Sequence, residues 1–451
     1  MKQALNLHHI TARTVALIIV GFAMIMLPGV DFAGTLAAFV CLWISIEYTL
    51  SKTEWKSETA WYALLAASVL TSIGIVANVH GYTVEHGLDT SSPYLFNTDY
   101  NRYFYTAKSI ITGEQAENYG YSIFIAAVWK ITGISIVPPL IINQATILFS
   151  IIVCGEITHR VIKNAPSAPT VAVILLSAIC YFLNHATLLL KEGLITLFLS
   201  LFILLLLRKK KNYPAIAAIL LLFGLIRYHW LAFPATAAIV IMIDFKSLKK
   251  NVGLLYVLLI VGFIFASYHI FFHSRVMNFI SEAENISGSY VTFDSNRAEF
   301  WTIIGDYFSF PFWKKVLLLP LSVLVQIITP LPWNFERDMV YGFTQWYSHL
   351  SYPWYAISGI VAYFYLFAFR KCHDDNLKRL ALAGLLLWLV PAYIFAGSVS
   401  RYSLCFLPLI VPAAAYVISK GYYRNRSFII SFAIYVTGVA AGLITIYAIT
   451  A

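Results

Sequence analysis

Charge is scarce in this chain: Asp, Glu, Lys and Arg make up only 12% of its 451 residues, about half the share of an ordinary soluble protein. A chain this long with so little charge cannot cover a water-facing surface. Its 60% hydrophobic content and mean hydropathy of +0.76 point instead to a polytopic membrane protein. Cysteine is also sparse. The five cysteines, Cys41, Cys154, Cys180, Cys372 and Cys405, are an odd number and mostly lie in apolar segments, where they act as small hydrophobes, so neither a disulfide framework nor a zinc site is inferred. His8 and His9 are adjacent near the start, and His269, His273 and His349 are assigned to interfaces or hydrogen bonds rather than to a metal. There is no Walker or glycine-rich phosphate loop, which excludes a reading based on nucleotide hydrolysis, and no solenoid repeat, low-complexity tract or long soluble domain.

What is present is a succession of apolar runs separated by small basic clusters. The formal net charge of +10 could suggest nucleic acid, but the cations sit at Arg208 to Lys211, Lys246 to Lys250, Arg370 to Arg379 and Lys420 to Arg426. That is the pattern of cytoplasmic loops under the positive-inside bias, so no nucleic-acid partner is expected. Thirteen runs qualify as spans, at about 14–30, 34–50, 60–80, 138–156, 169–187, 193–208, 213–226, 229–244, 252–272, 353–369, 380–396, 403–418 and 428–448. The first follows MKQALNLHHITAR without an A-x-A-like cleavage site and is read as an uncleaved helix. With the N-terminus inside, the clusters above, together with Lys52 to Lys56 and His159 to Lys163, all fall in the cytoplasm.

Two segments are left over. Residues 121–133 are short and carry Lys130; residues 313–330 begin with two lysines and contain Pro320. Laid against or partly within the outer leaflet, both preserve the charge rule; counted as spans, they would raise the total to fifteen. The expected fold class is therefore all-α, a polytopic transmembrane helical bundle. It divides into a three-helix segment (1–80), a first large outer loop with juxtamembrane helices (81–137), central membrane helices (138–272), an outer loop and interfacial segment (273–352) and C-terminal membrane helices (353–451).

This topology gathers the unusual polar material on the outer face: residues 81–120, the turn at Lys191 and Glu192, the turn from Arg227 to Trp230, the loop 273–312, PLPWNFERDM (330–339) and SVSRYS (398–403). Asp99, Tyr103 and Ala107 are spaced by four, on one face of a short helix that Gly113 ends. Read blandly, Asp99 caps an interfacial helix, Arg227 and Arg401 snorkel at helix ends, and Lys191 and Glu192 neutralise each other. Against this, arginines on the outer side oppose the positive-inside bias, and such exceptions tend to be functional. The loop 273–312 holds five acidic residues with Tyr290, Phe293, Trp301 and Tyr307, a composition suited to stacking on sugar faces or to an aromatic interface. Asn285-Ile286-Ser287 fits an N-glycosylation acceptor.

The pattern D-x-x-x-Y-x-x-x-A-x-x-x-x-x-G (Asp99 to Gly113), followed by YGYSIFIAAVWKITG (Tyr119 to Gly133), resembles the first outer loop of GT-C type glycosyltransferases, the relatives of protein O-mannosyltransferases and of the lipid A aminoarabinose transferase. Ser122 stands where that family usually has proline, and Thr132 where it has phenylalanine. LLLKEGL (Leu188 to Leu194), RKKKNYPAIAAILLLFGLIRYHW (Arg208 to Trp230) and SRYSLCFLP (Ser400 to Pro408) are similar to later family elements in the same order, over residues about 85–415; in the last, Ser403 replaces an arginine and Cys405 a proline.

The resemblance implies a polyprenyl-phosphate-linked sugar as donor and a glycan or lipid-linked acceptor, at a site facing the periplasm from the bacterial inner membrane. Phosphate is already a competent leaving group, so the chemistry needs a carboxylate for the acceptor's proton and fixed cations for the departing charge. Asp99 is the expected base. Arg401 and Arg227, with Lys191, Arg102 and Tyr402, are expected to hold the donor phosphate, because arginine grips phosphate as a fork. Glu192, Tyr103 and His229 are expected to orient the acceptor or assist a metal; a divalent ion stays open, no full ligand set being legible. The competing readings are an O-antigen polymerase, whose active residues lie in two large later loops, and a transporter or flippase of lipid-linked sugars, which calls for broken helices in paired halves and charges at mid-membrane depth.

Overall fold

The computed structural model describes residues 43–55, 57–86, 98–114, 119–208, 210–242, 310–328, 352–395 and 403–450, with Asp99 and His229 among those described by backbone alone. The expected spans at 14–30 and 252–272, most of 34–50, and the outer segments 273–309, 330–339 and 398–402 lie outside them.

Among the described residues the fold is all-helical. After a helical stretch at 43–51 come α1 (Glu58–His86), α2 (Thr98–Thr112), α3 (Tyr119–Thr132), α4 (Val137–Val161), α5 (Ala168–Ser177), α6 (Cys180–Asn184), α7 (Glu192–Leu207), α8 (Tyr213–Arg227), a 3-10 turn (Tyr228–Leu231) and α9 (Ala232–Met242). Then follow α10 (Phe312–Ile328), α11 (Tyr352–Tyr363) running into a π turn (Phe364–Ala368), α12 (Asp375–Phe395), α13 (Leu407–Ser419), a 3-10 turn (Tyr422–Arg424) and α14 (Arg426–Thr450). By length and composition, helices at Glu58–Ala77, Val137–Val161 and Arg426–Ile444 can cross a membrane, and α3, α5, α7, α8, α9 and α13 are shorter apolar helices.

α4 is the hub. Pro138 and Pro139 open it, where a missing N–H costs nothing, and α1, α5, α7 and α13 pack around it. Its buried polar side chains find partners on those neighbours: the Gln144 amide nitrogen lies 2.8 Å from the hydroxyls of both Thr71 and Ser72 and 3.0 Å from the Ser68 carbonyl, pinning α4 to α1. Lower down, Gly155 admits the Trp55 ring. A Cβ at 155 would stand 2.5 Å from Trp55 Cζ2 and 2.9 Å from Val173 Cγ2. Gly155→Val is therefore expected to destabilise the fold by about 1–3 kcal/mol through overpacking, measured as a lower midpoint of thermal unfolding in detergent.

Described residues of several basic clusters lie at one end of the bundle. Glu54 pairs with His159 at 3.1 Å, Trp55 Nε1 donates to Glu156 at 3.1 Å, Lys420 Nζ donates to the Asn164 carbonyl at 2.8 Å, and Arg379 donates to the Ile241 carbonyl at 3.4 Å. At this end α4, α7, α9 and α13 finish and α5, α8, α12 and α14 begin.

One expected element is corrected. The run 169–187 is not a continuous helix. α5 stops at Ser177, Ile179 takes an extended-side conformation (φ −81°, ψ 86°), α6 lasts one turn, and residues 185–191 are irregular yet almost entirely buried. Polar side chains compete with the helix ladder at this point: Thr187 Oγ1 donates to both the backbone and side-chain oxygens of Asn184 at 2.9 Å, and His185 Nδ1 lies 3.2 Å from the Tyr181 carbonyl. The leftover segments both form helices, α3 and α10. The second reaches α11 and α12 through hydrogen bonds from Trp354 to the Ile327 carbonyl, from Tyr355 to the Ile328 carbonyl and from Gln326 to the Trp388 carbonyl.

Candidate active site

At the opposite end, α2 and α3 pack on each other, and α3 packs against the start of α4 and the end of α8. α2 has the bounds its sequence spacing predicts. It runs to Thr112 and stops at Gly113, whose φ of 77° is left-handed and easy only for glycine. Tyr103, Phe104 and Ala107 form its buried face, while Tyr105 and Lys108 are exposed. Asp99 falls within the first turn rather than at the cap, one turn before Tyr103 on the same helical face.

Gly120 lets α3 approach α8 closely: a Cβ there would meet the Ile226 carbonyl oxygen at 2.7 Å. From α3, Tyr121 is fully buried, packs edge-on against Tyr103 with ring centroids 5.2 Å apart, and donates from its hydroxyl to Asn143 Oδ1 at 3.0 Å. Burial pushes the Tyr121 phenol above its ordinary pKa; the Asn143 hydrogen bond opposes this and the nearby Glu192 charge adds to it. Asn143 in turn donates to the carbonyls of Leu188 at 2.8 Å and Leu190 at 3.0 Å, in the irregular segment that leads to Lys191.

Lys191 and Glu192 open α7 and are only 6% and 1% exposed. Two adjacent opposite charges inside a helical bundle are costly to bury and so carry meaning. The Lys191 ammonium donates to the Tyr103 hydroxyl and stands 4.8 Å from the centre of the same ring. Cys405, in the short turn before α13, lies with Sγ 3.8 Å from the Glu192 carbonyl. Ser403 beside it is buried. Arg227 ends α8 with its guanidinium 5.2 Å from the Trp230 ring, and Phe233 packs edge-on against Phe406 at a centroid distance of 5.1 Å.

The structure thus brings together Tyr103, Lys191, Glu192 and Arg227 of the expected residues. Arg102 is not among them: its side chain lies on the exposed face of α2, about 100° around the helix from Tyr103. Arg401 and Tyr402 lie outside the described residues, as does the side chain of His229, whose backbone is in the 3-10 turn after α8. Among the described residues no three His, Cys, Asp or Glu side chains gather as metal ligands. Tyr121 and Asn143 are additions that sequence reasoning passed over. The signal was there, since two consecutive amides, Asn143 and Gln144, interrupt an otherwise apolar run. Comparisons with protein-family descriptions, with curated proteins and with solved structures gave no match.

Proposed function

We propose that the protein is an integral membrane glycosyltransferase of the GT-C type, moving one sugar from a polyprenyl-phosphate donor to a cell-envelope acceptor, such as a lipid-linked glycan, O-antigen or lipid A, on the periplasmic face. The observation that carries this reading is the buried Lys191–Glu192 pair with Tyr103 of α2 on its ammonium. It brings the helix that bears Asp99 to the same end of the bundle as Lys191 and Arg227. In the proposed reaction the acceptor oxygen attacks the anomeric carbon, the bond from that carbon to the phosphate oxygen breaks, and the acceptor's proton goes to the Asp99 carboxylate. Lys191 and Arg227, with Arg401, take up the charge left on the carrier phosphate. Glu192 balances the cations when no donor is bound.

A transporter of lipid-linked sugars is the second reading. The interruption between α5 and α7, with irregular buried backbone leading to a helix start, supports it. The test is to compare cell-envelope glycans from cells with and without the gene. Loss of one sugar substituent, with the remaining glycan at normal length and on its normal side, is expected. Loss of all surface glycan, with lipid-linked intermediates retained inside, would favour transport, and loss of chain length alone would favour polymerisation.

A further inference from the structure

We infer that Tyr121 and Asn143 are positioning residues that, with Tyr103, hold Lys191 from both ends, so that its ammonium is a fixed rather than a mobile cation. This deepens the reading above and rests on it for its catalytic meaning. The contacts form a closed ring. The Lys191 ammonium donates to the Tyr103 hydroxyl. The Tyr103 ring packs edge-on to the Tyr121 ring. The Tyr121 hydroxyl donates to Asn143 Oδ1 at 3.0 Å, and Asn143 Nδ2 donates at 3.0 Å to the carbonyl of Leu190, the residue bonded to Lys191. Four pieces of chain that are remote in sequence, α2, α3, α4 and the turn before α7, are joined through one lysine.

Each member does what its chemistry allows. Residues 185–191 are not helical, so their buried carbonyls need donors from elsewhere. An asparagine amide offers two N–H groups and one carbonyl oxygen; here both kinds are used, the donors on Leu188 and Leu190 and the oxygen on Tyr121. That fixes the Lys191 backbone. A lysine side chain left alone keeps its rotamers and reaches for water, and the Tyr103 hydroxyl is the acceptor that turns it inward. Because Tyr103 also seats α2, the same ring sets the helix that carries Asp99 against the cation.

The test uses full-length protein in lipid nanodiscs, treated with formaldehyde and cyanoborohydride, with methylation of Lys191 followed by peptide mass spectrometry against the exposed Lys108 and Lys130 as internal standards. Lys191 of the native protein is expected to react at least about tenfold more slowly than the standards, and Tyr103→Phe, Tyr121→Phe and Asn143→Leu to speed it severalfold or more. Gln144→Leu breaks an equally buried amide network on the same helix and is expected to leave Lys191 unchanged. Tyr121→Phe removes a single oxygen and keeps the ring packing, so it remains informative if the Asn143 variant does not fold. Unchanged labelling in Tyr121→Phe and Tyr103→Phe, or equal acceleration in Gln144→Leu, would overturn the inference. Labelling needs no sugar donor: a positive result in a protein that transfers no sugar leaves the ring standing and removes only the glycosyltransferase reading.

Discussion

Asp99→Asn is expected to lower sugar transfer by about 10²–10⁴-fold, the usual contribution of a general base, while protein level and unfolding temperature stay at native values. Asparagine has nearly the shape of aspartate but cannot accept the acceptor's proton. The residues that seat α2 in the bundle are Tyr103, Phe104 and Ala107, and none of them changes, so the helix is expected to keep its place. The readout is the glycan profile of cells carrying the variant, with membrane content of the protein measured in parallel. Transfer within about twofold of native would remove Asp99 from the chemistry.

The second large effect is expected at Lys191. Lys191→Met keeps the length of the side chain but deletes an ammonium that is almost wholly buried, on the residue before the equally buried Glu192. Losing the ammonium's hydrogen bond to the Tyr103 hydroxyl is expected to cost about 1–3 kcal/mol, and the neighbouring buried Glu192 loses a nearby opposite charge. Transfer is expected to fall by about 10²-fold or more from the loss of a fixed cation at the departing phosphate. The double variant Lys191→Met with Glu192→Gln separates the two effects. Removing the neighbouring buried charge is expected to recover part of the stability and none of the transfer. A single variant as stable as native would show that the ammonium does not compensate a buried carboxylate.

Much of the fold was legible because membrane helices announce themselves by apolar length, and because basic residues mark one side. α12 and α13 lie within a few residues of their expected bounds, and the contacts Glu54–His159 and Lys420–Asn164 gather the expected basic loops. α2 was legible from three residues on one face and a terminal glycine. The break after Ser177 was not, since counting apolar residues through 169–187 cannot register that Asn184, His185 and Thr187 satisfy one another and the backbone locally.

Part of the site was equally hidden. Lys191 and Glu192 stood out as charges in an apolar run, but the Tyr103 hydroxyl that meets Lys191 is 88 residues away in sequence. Nothing in the spacing of either segment says that they touch. Asn143 and Tyr121 act through hydrogen bonds between remote segments, one to each other and two from Asn143 to the carbonyls of Leu188 and Leu190, which leave no periodic trace.

The most direct measurement takes the polyprenyl-linked sugars extracted from cells lacking the gene and adds purified protein in nanodiscs, following each lipid by mass spectrometry. One lipid-linked monosaccharide is expected to lose its sugar with native protein and acceptor-containing envelope lipid, and to persist with Asp99→Asn. If every sugar lipid persists with both proteins, or is discharged equally by both, the transfer account is contradicted.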